Sequence, residues 1–455
     1  MLVVLTLAWG TPTSAATLYW SGNGSSQGGA GTWDTTSPHF GTASGGPFTT
    51  TWNNTTNAAD TVTFGGSAGT VTLGANITVA TLALNTASTI APGAGPYTLT
   101  SGGSILTANI GGSSTSNRVI TAAITGAIGL TVGGGFDGTL QLRGANTYTG
   151  VTTVANGKTL MMGFGSTEGS IGSSSGVTIN GTFAINRSDN VTQTVDFPVM
   201  SGAGNFVKQS AGTVTLLSQN TFTGSTEVRA GTLQIGNGGT SGGLPNSSSI
   251  NLTTNTTGTF AVNRSNNAFQ GTNFPVITGI GGFSQLGTGT TQLELTNTYT
   301  GPTRVAAGSL IVAAAGAIGA SDVTVESLAA LGGTGTIGGN VSFASGSKFI
   351  FNAAGPLAVA GTVSFVDPAA FGVDDIIGLS NLTAPGTYSL ISGDVSTTGL
   401  ANLGVANSYD LGSGVSAYFE QGSLNLVVVP EPGTAIAGLA GFIACVVTRR
   451  RRKRS

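Results

Sequence analysis

The sequence predicts an all-β chain, a right-handed parallel β-helix or solenoid, with one short C-terminal transmembrane helix. Three observations carry this reading. Charged residues are only 7% of the chain while glycine supplies 75 positions, against roughly 25% charged residues in an ordinary domain. Similar units follow one another at offsets of 74 and 77 residues with no linker between them. The chain closes on "PEPGTAIAGLAGFIACVVTRRRRKRS", a mostly apolar stretch ending in a basic cluster.

The elements follow in chain order. Residues 1–16 begin with the apolar run Leu2–Trp9 and end on the small residues Thr13-Ser14-Ala15-Ala16. This is the pattern of a signal-peptide remnant without its basic start, so the true start is expected upstream. Residues 17–125 form an N-terminal β region holding Trp20, Trp33 and Trp52. Those rings are expected to cap the open end of the solenoid, where backbone groups would otherwise stay unpaired; exposed tryptophans binding carbohydrate are the alternative. Residues 126–335 carry the repeats. "NTYTG" stands at Asn146–Gly150, "NTFTG" at Asn220–Gly224 and "NTYTG" again at Asn297–Gly301. "FAINRS" (Phe183–Ser188) returns as "FAVNRS" (Phe260–Ser265). Thr213–Leu217, Gly231–Ile235 and Thr259–Asn263 alternate or nearly alternate between apolar and polar residues, with Gly, Asn or Ser at the breaks, the signature of strands.

A solenoid adds coils without limit, each packing only on its neighbours. Coils of roughly 20–25 residues make each unit three to four coils. Stacking at about 4.8 Å then separates Tyr148, Phe222 and Tyr299 by several coils, so each is expected to pack locally at one recurrent corner. The corner glycine is expected to supply a positive-φ turn. Residues 336–428 form a C-terminal β module expected to continue and close the helix, and 429–455 are the tail.

Composition excludes several chemistries. Six of the 15 basic residues lie in Arg449–Arg454, leaving nine against 17 acidic residues over 1–448, a net of −8. No basic stripe remains to bind nucleic acid. Cys445 is the sole cysteine and lies in the apolar tail, so the body has no disulfide or thiolate site. His39 is the sole histidine, in "SPHF" with no nucleophile motif nearby, and is expected to be a surface loop residue. The adjacent acids are Asp374-Asp375. Paired carboxylates could hydrolyse or cleave polysaccharide, but a solvated turn is the simpler expectation. No catalytic residue, metal site or cofactor is expected. "GGTGTIGGN" at Gly332–Asn340 resembles a glycine-rich calcium repeat without its aspartate.

The tail is chemically specific. Pro430 and Pro432 hold the motif Pro430-Glu431-Pro432 extended. The span Thr434 to Thr448 would cover about 22 Å as a helix, short of a roughly 30 Å hydrocarbon core. Arg449, Arg450, Arg451, Arg452, Lys453 and Arg454 would stay on the cytoplasmic side. These three parts resemble the PEP-CTERM sorting signal of Gram-negative bacteria. The resemblance implies an exosortase-type processing protease as partner, transient residence in the inner membrane, and release or attachment of the body at the cell surface or in extracellular polymer.

The body resembles the autotransporter-associated β-strand repeat family, on "LRGANTYTGVTTVANGKTL" (Leu142–Leu160), "LLSQNTFTGSTEVRAGTL" (Leu216–Leu233) and "LELTNTYTGPTRVAAGSL" (Leu293–Leu310). That resemblance implies a β-helix at the cell surface more than any activity. The expected function is a secreted, non-enzymatic structural or adhesive β-solenoid with extracellular polysaccharide as a partner. A β-helix polysaccharide lyase or hydrolase is the alternative.

Overall fold

A computed structural model describes residues 15–112, 117–252, 258–412, 414–420 and 424–431. Short parallel strands dominate, and among the described residues the helical elements are four 3-10 turns of three residues each. The chain is thus all-β, a right-handed β-solenoid as predicted. The predicted transmembrane helix is corrected: among the described residues no helix is long and apolar enough to cross a membrane. The segment that raised the expectation, Thr434 to Thr448, lies outside the described residues and is shorter than the ~20 residues a span requires. Transient residence in the inner membrane rested on that helix and falls with it.

The chain divides into two compact units, one reaching Ser210 and including Phe222–Gly224, the other formed by Ala211–Thr221 and the chain from Ser225 on. In unit 1, Thr61–Phe64, Thr81–Leu84, Ile105–Ile110, Gly129–Gly133, Thr152–Val154 and Val177–Ile179 pair in parallel order along one sheet. A second sheet runs through Gly138–Leu142, Lys158–Ser166, Thr182–Arg187 and Asn205–Lys208. Alternate residues point inward: Leu160, Phe183 and Phe206 are in register and fully buried. Phe183–Phe206 ring centroids lie 6.2 Å apart, a spacing that lets aromatic rings interlock down the core.

Unit 2 repeats the scheme. Thr232–Ile235, Thr259–Val262, Gly282–Gln285, Thr303–Val305, Val323–Val325 and Val341–Phe343 form one parallel ladder. Paired residues along it are 18 to 27 positions apart, as between Val323 and Val341 or Thr232 and Thr259. The repeat does not stay on one face. Thr226–Val228 pairs with Ile250–Leu252, which pairs with Ile277–Gly279. The copy 77 residues on, Thr303–Val305, lies instead in the Gly282–Gln285 ladder. From Thr226 the chain makes two coils to Ile277, steps one face to Gly282, then makes a third coil to Thr303. One sequence unit is therefore three coils and about one face. Thr232–Ile235 and Ser309–Val312 differ by the same step, the latter pairing with Thr290–Leu293.

The parallel coils end in antiparallel structure. Gly386–Val395 pairs in parallel with Leu357–Phe365 but antiparallel with Leu424–Pro430, which is followed outward by Val415–Phe419 and Tyr409–Gly412. These antiparallel strands occupy the edge that Gly386–Val395 would otherwise offer to a further coil, and so cover that end of the ladder in unit 2. In unit 1 the first strand, Thr17–Trp20, pairs antiparallel with Phe40–Gly41 and in parallel with Thr61–Phe64.

Candidate functional site

The repeated corner is built around a buried amide. The Asn146 Nδ2 donates to the carbonyls of Gly144 and Ser170, both at 2.9 Å, while its Oδ1 accepts from the Ile124 N–H at 2.9 Å. Asn297 does the same with the Leu295 and Ala317 carbonyls and the Ile277 N–H. Asn220 donates to Ser218 and Gly243. Each amide thus satisfies backbone groups of neighbouring coils where the strand ladder is interrupted. Tyr148, Phe222 and Tyr299 are fully buried, and Tyr299 packs 6.3 Å from Phe283 and Phe222 6.2 Å from Phe206. The local packing expected of these rings is what the corner contains. Both phenols begin a hydroxyl chain: Tyr148 bonds to Thr152, whose hydroxyl meets that of Ser174, and Tyr299 bonds to Thr303, whose hydroxyl meets that of Ser321. Burial pushes both phenols well above the usual range.

The corner glycine has a different cause from the one expected. Gly150, Gly224 and Gly301 are absent from the positive-φ positions. A Cβ on Gly301 would instead lie 2.4 Å from the Gly281 carbonyl oxygen, and one on Gly224 2.2 Å from that of Gly204. Glycine is needed because successive backbones touch there.

Acids do converge at one place. Arg187 donates to Asp189 at 2.9 and 2.5 Å, to Asp196 Oδ1 at 2.9 Å and to the Gly169 carbonyl at 3.0 Å. The Arg187 guanidinium holds the Asp189 carboxyl below the usual carboxylate range. The equivalent Arg264 donates to Asn266, Gly242 and Thr240. Asn266 and Asn273 stand where the first copy has Asp189 and Asp196, and Asn273 accepts the Phe269 N–H as Asp196 accepts that of Thr192. In the second copy the arginine keeps its partner two residues on and its backbone carbonyl, with the Thr240 carbonyl in place of the second carboxylate, which gives the acids a role in holding the loop. Asp374 is exposed, while Asp375 is buried, pairs with Lys348 at 2.8 Å and accepts the Gly372 N–H. That pair is therefore divided between solvent and a structural contact. His39 is half-buried rather than exposed, its ring 5.3 Å from Trp20. Among the described residues no three His, Cys, Asp or Glu side chains could hold a metal.

Trp20, Trp33 and Trp52 are buried together with Phe40 and Phe64. Trp33 and Trp52 meet edge to face at 5.2 Å. They fill the first coils and offer no face to a sugar. At the other end, Pro430 closes the last strand opposite Val415, and the Glu431 N–H donates to the Gly414 carbonyl. A hydrogen bond to Asp410, then its charge, raise the Glu431 carboxyl above its ordinary value. Pro432, Cys445 and the basic residues Arg449–Arg454 lie outside the described residues.

An exposed feature was missed by sequence reasoning. On unit 1 an open trough of about 350 Å³ crosses successive coils and is lined by Asn156, Lys158, Asn180, Gly181, Ala203 and Asn205, among others. Its register follows from Gly138↔Lys158, Thr159↔Thr182 and Thr182↔Asn205. Lys158 faces Asp137 at 3.5 Å, and Phe136, 59% exposed, precedes that acid. The asparagines sit in different motifs of the unit, so no repeat aligned them in the sequence.

Three segments, 137–160, 206–235 and 283–312, match the family model described as the passenger-associated-transport-repeat. Each contains a strand following or flanking a corner, in the segments singled out from sequence. The tail, 429–455, lies outside all three. The chain is 32% identical over 249 residues to the adhesin BmaC autotransporter of Brucella suis biovar 1 (strain 1330), a stretch covering 50% of this chain and 7% of that protein. No solved structure matches. The reading of the chain as non-enzymatic agrees with that similarity to an adhesin.

Proposed function

We propose that this chain is a secreted, non-enzymatic β-solenoid that acts as an adhesive or structural protein of the cell surface or extracellular matrix. The observation that carries this is the combination of three passenger-type repeat segments with similarity to an adhesin over half the chain. A low-charge surface rich in hydroxyls and amides suits hydrogen bonding to extracellular polysaccharide. Co-sedimentation of the full chain with purified matrix polymer tests the adhesive reading; no association with polymer or with cells would overturn it.

A finer proposal comes from the sequence: processing at Pro430-Glu431-Pro432 by an exosortase-type protease. Intact mass and C-terminal peptide mapping of the protein from native envelope and medium test it. A mature chain ending near Pro430 supports processing, and one retaining Arg449–Ser455 rejects it. The alternative lyase or hydrolase is disfavoured by the Arg187 cluster, whose acids are replaced by amides in the next copy, where Arg264 still holds Asn266 and two backbone carbonyls.

A further inference from the structure

We infer that the trough over Asn156, Asn180 and Asn205 is a binding site for an extended, neutral glycan, which rests on the adhesive reading and gives it a location. The trough is open and polar, and it crosses three successive coils. Adjacent coils are about 4.8 Å apart, close to the advance of one pyranose residue in an extended chain. Asn156 and Asn180 are exposed at successive coils, and a primary amide presents both donor and acceptor to a pair of sugar hydroxyls. Gly181 and Gly204 carry no side chain between them, so the trough floor is backbone and a ring can approach closely.

Charge selects the ligand class. The one cation lining the trough, Lys158, is buried along its stem and paired with Asp137. The site therefore has no net charge with which to hold an acidic polymer. Phe136, largely exposed and one residue before the Asp137 that pairs with the lining Lys158, supplies an aromatic face beside the trough. Such a face packs against the apolar face of a pyranose, in the amphipathic way aromatic rings work at wet surfaces. The buried tryptophans of the first coils cannot do this.

The test uses the full chain and a panel of soluble neutral polysaccharides (dextran, an α-mannan, a β-1,3-glucan, and a β-1,4-linked glucan oligomer), with alginate as the acidic comparison. Affinity electrophoresis or titration calorimetry gives the dissociation constant. Asn156→Ala with Asn180→Ala, and separately Phe136→Ala, alter exposed groups; Asn237→Ala, exposed in unit 2, is the control. Thermal melting of each variant establishes that it is folded. The expected result is binding to at least one neutral polymer in preference to alginate, weakened by about tenfold or more in the double variant and unchanged in the control, since two lost hydrogen bonds are worth that much. Binding that survives the double variant and Phe136→Ala overturns the trough while leaving an adhesive chain. Wild-type chain that binds no neutral polymer, or only alginate, overturns the inference outright, and association with whole matrix then decides the adhesive reading separately.

Discussion

Lys208 should make this protein more stable when it is removed. Its side chain is buried in unit 1, with Nζ donating to the Ser210 carbonyl. Burial lowers its amine from 10.5 to about 8. Below pH 8 both folded and unfolded chains carry the proton, and the folded state bears the whole desolvation cost. Between pH 8 and 10.5 the unfolded chain holds the proton and the folded one does not, so stability rises with pH through that window. At about 1.4 kcal/mol per pH unit the fall corresponds to about 3 kcal/mol. The next copy supplies the replacement. Gln285, 77 residues on, donates its Nε2 to the Gly287 carbonyl at 2.7 Å and to that of Gly289 at 3.1 Å. Lys208→Gln is expected to raise stability at pH 7 by about 1–3 kcal/mol, and the gain should shrink toward zero by pH 10.5. Urea unfolding followed by the fluorescence of Trp20, Trp33 and Trp52, all in unit 1, reads the difference between variant and parent, in which the titration of other groups cancels. A variant that is less stable at pH 7, or a gain that does not change between pH 7 and 10.5, would refute the reasoning.

Further outcomes follow from neighbouring features. Leu328 is 82% exposed at φ 65°, a left-handed position that Gly346 fills at φ 74° in the next coil. Leu328→Gly should stabilise by about 0.5–1 kcal/mol, the cost of a side chain there less the freedom glycine loses, read as a shift in urea midpoint. Gly301→Ala should destabilise by about 1–3 kcal/mol because its Cβ would meet the Gly281 carbonyl at 2.4 Å; a neutral melt would mean the coils can part there. Arg187→Ala should cost about 3 kcal/mol by leaving Asp196 unpaired, whereas Asp189→Asn with Asp196→Asn should keep the fold, as Asn266 and Asn273 do. In the parent, the contribution of Asp189 is present above the unfolded carboxyl pKa and is lost as pH falls through its lowered folded value; the double variant should lack that acid-side loss in a pH series of melts.

Strand positions were legible because alternation is enforced locally. Thr213–Leu217, Gly231–Ile235 and Thr259–Asn263 were read from pattern, and the strands found are Thr213–Leu216, Thr232–Ile235 and Thr259–Val262. The corner aromatics were legible as packing residues for the same reason. What the corner glycine does was not, since a close approach between coils depends on a neighbour some 20 residues away, while a turn preference is local. The structural role of the acids around Arg187 is legible once the copies are aligned, which sets Asn266 and Asn273 against Asp189 and Asp196. The trough could not be read, because Asn156, Asn180 and Asn205 meet only through coil register. The tail illustrates the opposite limit, where a strong local pattern carried a helix that the described residues do not contain.

The three-coils-and-one-face unit separates ancestry from geometry. Within unit 2, two copies of one sequence begin on different ladders, so homologous side chains look out in different directions. Duplicating such a segment does not lay identical contacts along one line, and it cannot by itself raise avidity for a straight polymer. It rotates the display. Selection can then alter a loop in one copy, as Phe164 replaced by Asn237 in the next, without disturbing what the other copy shows to its own side of the surroundings. For a protein meeting a heterogeneous matrix, repetition of this kind gives directional diversity from a single structural solution.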